Sequence, residues 1–249
     1  MLDVHPPHAP THTWRDFFIH IATICIGLHI AIALEQSVET IHRHHQRQEL
    51  LEQLDAEHRQ ILKDATGAAN NDEMFLNWYA GHIAALQTVI TQHQPYAVPP
   101  RPAIGIYKVP ADPVWRAAKA SGLTSLLPQQ VVVANSEPES LLTREDAEIM
   151  ESARVQNTIL IAACGRLPLL PGTSTPDYNH ADVHDLRDCL AASMSYYAVR
   201  RAAYALKIYL IAAAQSILNG ETDVDRINGH EIEAANAARL RLRPVALPR

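Results

Sequence analysis

The feature that most constrains this chain is an unbroken apolar run from Phe17 to Leu34, inside the stretch "HTWRDFFIHIATICIGLHIAIALEQ". No Lys, Arg, Asp or Glu interrupts it, and only His20 and His29 carry titratable rings that can stay neutral. The run is about 18 residues, roughly 27 Å at 1.5 Å per residue, which matches the hydrocarbon layer of a bilayer. Three structures accept such a run: a membrane span, a cleaved signal, or a core helix that is apolar all round. The triplet Ala31-Ile32-Ala33 would suit signal cleavage, but the first thirteen residues hold no Lys or Arg, which a signal's n-region needs. The span is the favoured reading, with Trp14 at headgroup level.

Local signals place the ends of this helix. Thr13 and Asp16 form a T-x-x-D capping box, so the helix is expected to start near Trp14. Thr23, Gly27 and Ala31 recur every four residues and draw a stripe of small side chains down one face. Such stripes let two backbones approach in lipid, so self-association is expected there. The exit side carries "HRHH" and then Arg47. Arg43, His44, His45 and Arg47 are read, with Trp14, as residues of the membrane interface, meeting anionic headgroups. Lys and Arg counts near the two ends lean, by one charge, to a cytoplasmic C-terminal domain.

Beyond Leu34 the chain turns charged yet keeps helical spacing. Val38, Ile41, Leu50, Leu51, Leu54, Ile61, Leu62 and Ala65 recur every three or four residues. Gly67, Asn70 and Asn71 mark a kink or break before Phe75, Trp78, Tyr79, Ile83, Leu86 and Ile90 resume the pattern. Segment 95–113 holds Pro95, Pro99, Pro100, Pro102, Pro110 and Pro113, a density that forbids a regular helix. In "DPVWRAAKASG", Asp112 caps, Pro113 opens and Gly122 closes a short helix, with Trp115 and Ala118 facing a core. "VVVANSEPESLL" is the one β-like piece. Thr143 and Asp146 repeat the capping box, so a helix is expected from there to about Cys164. Thr175-Pro176 is expected to open a last long helix that ends at Asn219-Gly220. Apolar residues 202–218 within it are either a second span or a buried bundle face, and Arg200, Arg201 and Lys207 favour the bundle face.

The expected fold is therefore all-α: one N-terminal transmembrane helix continuing into a long helix that packs in an antiparallel helical bundle. The expected segments are a flexible tail at 1–13, the span at 14–34 and a juxtamembrane helix or helix pair at 35–94. A Pro-rich connector at 95–113, the bundle remainder at 114–220 and a polar tail at 221–249 complete the chain.

Composition narrows the function without naming it. The net charge of -6 gives no basic field for nucleic acid. Three cysteines are too few for a disulfide framework, and Cys164 with Cys189 would pair only if their domain faces an oxidising space. His180, His184 and Asp188 fall four apart and form a weak candidate for a divalent ion; His42 and His45 share a helix face but lack a third ligand. No Gly-rich phosphate loop, G-x-S-x-G, H-E-x-x-H or C-x-x-C pair occurs, so catalysis has no motif behind it and no cofactor is expected.

The apolar run ending "IGLHIAIALEQSVE", the charged helix "RHHQRQELLEQLDAEHRQIL" and the later W-x-x-A-x-x-S-G element (Trp115, Ala118, Ser121, Gly122) resemble a broad group of uncharacterised bacterial single-pass membrane proteins. The resemblance covers the first 65 residues or so and, more loosely, the middle; "VVVANSEPES" departs from the helix expected after the Trp element. It implies a bacterial inner-membrane location and transfers no activity. The expectation is a membrane-anchored scaffold or interaction protein, partnered with the bilayer and with a second copy or another membrane protein. A His-dependent pH sensor and a tethered metal enzyme are the alternatives.

Overall fold

The computed structural model describes residues 14–98, 100–103, 108–144 and 149–245. Expectations for segment 1–13, including Thr13, and for Asp146 lie outside those residues. The described chain is all-helical: α1 (Trp14–Gln92), α2 (Pro113–Ser121), α3 (Gln129–Arg144), α4 (Met150–Cys164), α5 (Val183–Leu218) and α6 (Val224–Arg241), with a 3-10 turn at Leu123–Leu126. No strand forms among the described residues, which hold one isolated bridge, between Leu169 and Pro176. The chain divides into two compact units, Met1–Leu50 and Leu51–Arg249.

The first unit is the early part of α1. Ile21, Ile24, Ile26, Leu28, Ile30 and Ile32 are all exposed, so apolar side chains surround the helix on every face. Three of its polar side chains turn inward to their own backbone. Thr23 Oγ1 donates to Ile19 O at 2.8 Å, His29 Nδ1 to Cys25 O at 2.7 Å, and Ser37 Oγ to Ala33 O at 2.7 Å. These bonds hide donors that an apolar surrounding would leave unsatisfied. One helix among the described residues is long and apolar enough to cross a membrane, and it is α1.

The second unit is a helical domain with two packed clusters. One joins Phe75, Leu76, Tyr79, Ile83 and Leu86 of α1 to Leu186, Leu190, Tyr197, Tyr204 and Ile208 of α5. The other joins Ile61 and Ala65 of α1 to Ala134, Leu141 and Leu142 of α3, Leu210, Ala213 and Ala214 of α5, and Ile227 of α6. The apolar residues 202–218 lie in these clusters, and Lys207 reaches Asp72 at 3.0 Å, so that stretch is bundle core.

Four local expectations are corrected. Gly67 does not break α1, because Ala65, Ala68 and Ala69 beside it are buried and packing holds the turn. "VVVANSEPES" is helical within α3: Ala134, Pro138 and Leu141 lie on one buried face at helical spacing, and that burial outweighs the β preference of the valines and Pro138's missing N–H. Thr143 does not open a helix; it sits in the last turn of α3, where its Oγ1 donates to Glu139 O at 2.8 Å. The last long helix starts at Val183, after the N-cap Asp182, while Thr175-Pro176 belongs to a loop. The polar tail also gains structure, since α6 buries Ile227, Glu231, Ala235 and Ala238.

Candidate functional site

The W-x-x-A-x-x-S-G element is a clamp whose parts are structural. Trp115 and Ala118 are buried, and Gly122 closes α2 at φ +77, with its N–H reaching the Ala118 and Lys119 carbonyls. Only a residue without Cβ takes that backbone conformation cheaply. Asp112 stands at the N-cap as its sequence suggests, but its carboxylate turns to Arg116 at 2.8 Å. Glu57 of α1 caps the helix instead, accepting from Val114 N at 2.6 Å and Trp115 N at 3.1 Å. Burial holds the Glu57 carboxyl above the usual carboxylate range despite these bonds. Trp115 Nε1 donates to Glu139 at 2.9 Å, and Lys119 bridges the same carboxylate.

The richest chemistry lies in a cavity of about 740 Å³ lined by α1, α4, α5 and the segments that join them. Phe75, Trp78, Tyr79 and His82 project from one face of α1 at helical spacing. Tyr196 on α5 closes the floor, 5.7 Å from the Tyr79 ring. Tyr96 arrives from the connector after α1, its backbone N–H held by Asn179 Oδ1 at 2.7 Å. Tyr178 comes from the loop between α4 and α5, with its ring 4.3 Å from Tyr96. Trp78 and His82 stack nearly parallel at 5.7 Å. Contacts at these distances are the offset and edge-on arrangements that aromatic quadrupoles favour.

Covalent and backbone ties hold the walls in place. Cys164, which lines the cavity, is joined to Cys189 across a sequence separation of 25. The loop it closes is further pinned by Leu170 N to Thr175 O at 2.9 Å and Asp177 N to Pro168 O at 2.6 Å. The question that sequence alone left open, whether these cysteines meet, is answered by the packing of α4 on α5.

Electrostatics in the cavity are lopsided. Burial drives the His82 ring down to about 4, so it is neutral at pH 7, and its Nδ1 shares a 2.6 Å hydrogen bond with the Tyr96 hydroxyl. Burial also pushes the Tyr79 hydroxyl up to about 12. The described lining contains no Asp or Glu and one charged side chain, Arg101. Its guanidinium lies 5.1 Å over the Phe75 ring and 6.0 Å from the Trp78 ring centre.

The residues expected to matter from sequence lie elsewhere. His180 bonds Asp177 at 2.7 Å, outside the helix. His184 lies 3.8 Å from Asp188, whose carboxylate is held by Arg166 at 2.6 Å. The structure thus spends Asp188 on an arginine, and no three His, Cys, Asp or Glu side chains gather to hold a metal among the described residues. In the first unit, Trp14 packs edge-on to Phe17 at 5.8 Å, and Arg43 pairs with Glu39 at 2.6 Å. His44, His45 and Arg47 are exposed. Thr23, Gly27 and Ala31 are exposed too, and a Cβ on Gly27 would meet nothing within 4 Å.

Periodicity picked out Phe75, Trp78 and Tyr79 as core, but His82, Tyr96, Tyr178, Tyr196 and Arg101 were missed. The available signal was the aromatic density of "FLNWYAGH". Compared with known proteins, the chain matches no family model, no curated protein and no solved structure.

Proposed function

We propose that this chain is a single-pass protein of a bacterial inner membrane, whose helical domain faces the oxidising side and serves as a scaffold or interaction module. The observation that carries the reading is the fully exposed apolar window at the start of α1. A helix with Ile and Leu on every face is costly in water and at home in lipid, where its backbone is satisfied internally. From Trp14 to Arg43 is roughly 44 Å along a helix, the span of a bilayer including its headgroups.

The Cys164–Cys189 bond supports placing the domain in an oxidising compartment, since cytosolic thiols are kept reduced. This outweighs the one-charge lean of the flanking Lys and Arg toward a cytoplasmic domain. An antiparallel course of the two long helices fits the contacts: Asp72 pairs with Arg200 and Lys207, while Tyr79 lies against Tyr196. Self-association runs through the Thr23, Gly27 and Ala31 face, where nothing in one chain obstructs a close partner.

The test is fractionation of the full-length protein with its N-terminus sequenced. Retention in membranes after alkaline carbonate, release by detergent and an N-terminus upstream of Phe17 are expected. Recovery from the aqueous fraction, or a mature end at Leu34, overturns the reading. For orientation, thiol trapping in cells should find Cys164 and Cys189 oxidised, and reduced thiols in cells place the domain on the other side.

A further inference from the structure

The aromatic cavity is independent of which way the domain faces. Its volume of about 740 Å³ falls within the roughly 300–1,000 Å³ of small-molecule sites. Its walls come from four separate segments, yet the disulfide and the Tyr96–Asn179 bond fix the two that would otherwise be loose. The site is therefore largely formed before anything binds, and ordering costs are small. Rings on α1, the connector and the α4–α5 loop present flat faces, while Asn157, Ser174 and Thr175 supply polar groups.

Charge decides between ligand classes. Aromatic cages commonly take organic cations. Here Arg101 already lies over Phe75 and beside Trp78, and Arg200 stands 5.8 Å from the same Phe75 ring. A second cation would meet Arg101 and find no carboxylate in the described lining, whereas the charge of Arg200 is already answered by Asp72. A planar anion meets the opposite situation. Its ring stacks among Trp78, Tyr96 and Tyr178, and its carboxylate receives the two-pronged guanidinium of Arg101.

We infer that this cavity is a binding site for a small planar aromatic carboxylate, with the rings of Trp78, Tyr96 and Tyr178 holding the ligand's plane and Arg101 its charge. No bond is made or broken; the site binds.

The test uses full-length protein in lipid nanodiscs and isothermal titration with three probes sharing one ring: indole-3-acetate, indole-3-ethanol and tryptamine. Saturable binding of indole-3-acetate is expected, about tenfold or more tighter than the alcohol, as a charge-assisted hydrogen-bond pair contributes. Tryptamine is expected to bind weakest. Arg101→Gln should bring indole-3-acetate down to the level of the alcohol, whereas Arg201→Gln, in the separate α5–α6 groove, should change nothing. Tyr178→Leu should weaken the acid and the alcohol alike. Absence of saturable indole-3-acetate binding above empty nanodiscs overturns the proposal, as does tryptamine binding as tightly as the acid. The ranking of the three probes on the unaltered protein decides the matter even if Arg101→Gln fails to fold.

Discussion

Asp72 and Lys207, each 2% exposed, meet at 3.0 Å inside the helical domain, and Arg200 takes the other carboxylate oxygen. One anion thus serves two cations between α1 and α5. Breaking a buried pair by removing one partner costs far more than replacing both by apolar groups. Asp72→Asn removes the buried charge that both cations contact and should destabilise by about 3–5 kcal/mol in denaturant unfolding. Lys207→Met leaves Arg200 on Asp72 and should cost clearly less. Equal losses for the two single variants would show that the triad does not act as a unit.

His82 gives the domain an acid limit. Burial lowers its folded value to about 4 from 6.5, so the unfolded chain takes up the proton first. The resulting stability is complete above pH 6.5 and is lost as pH falls toward 4. His58, also lowered by burial, adds in the same direction. His82→Asn should flatten the acid side of the unfolding free energy between those values, while an unchanged acid slope would assign the loss to other groups.

Glu231 has the opposite sign. Burial, then the nearby Glu137 charge, raises its carboxyl to about 7 from 4.5, and its Oε1 has no hydrogen-bond partner among the described residues. That contribution is complete below pH 4.5 and is lost as pH rises through 7. Glu231→Gln should therefore stabilise the domain at pH 8 by on the order of 1–2 kcal/mol, allowing for solvent screening, and do little at pH 4.5. Thermal melts at the two pH values check it; equal effects at both would tie the gain to packing.

The Cys164–Cys189 bond closes a loop across a separation of 25 residues. Its loss in the Cys164→Ser/Cys189→Ser pair should cost about 3 kcal/mol, chiefly by freeing the unfolded chain. The same variant should loosen the loop carrying Tyr178, read as faster amide exchange over 166–181. Unaltered exchange there would mean the hydrogen bonds of Leu170 and Asp177 hold the loop alone.

Gly27→Leu tests association cleanly, because Gly27 is exposed and a Cβ added there meets nothing within 4 Å in a single chain. The domain's melting temperature should stay put while crosslinked dimer in detergent falls several-fold. Undiminished dimer would remove the small-residue stripe as the contact.

Much of the fold was legible in short-range pattern. Apolar spacing along α1, Pro113 with Gly122 around α2, and Asn219-Gly220 after α5 each announced themselves through local backbone chemistry. What misled was also local: the valines of "VVVANSEPES" and the hydroxyl of Thr143 carry preferences that long-range packing overrode. The cavity was less legible than the fold. No local pattern marks His82, because its surroundings come from Tyr96, 14 residues on, and from Tyr178, far beyond.

By itself the sequence determined that the chain is helical and that its first helix carries an apolar surface with no charge, because side-chain periodicity and solvation act residue by residue. Tertiary structure alone decided that Cys164 reaches Cys189, that Asp72 answers both Arg200 and Lys207, and that aromatic rings from four segments line one space together with Arg101. Those are meetings of residues distant along the chain, and only the packing of α1, α4 and α5 brings them within reach.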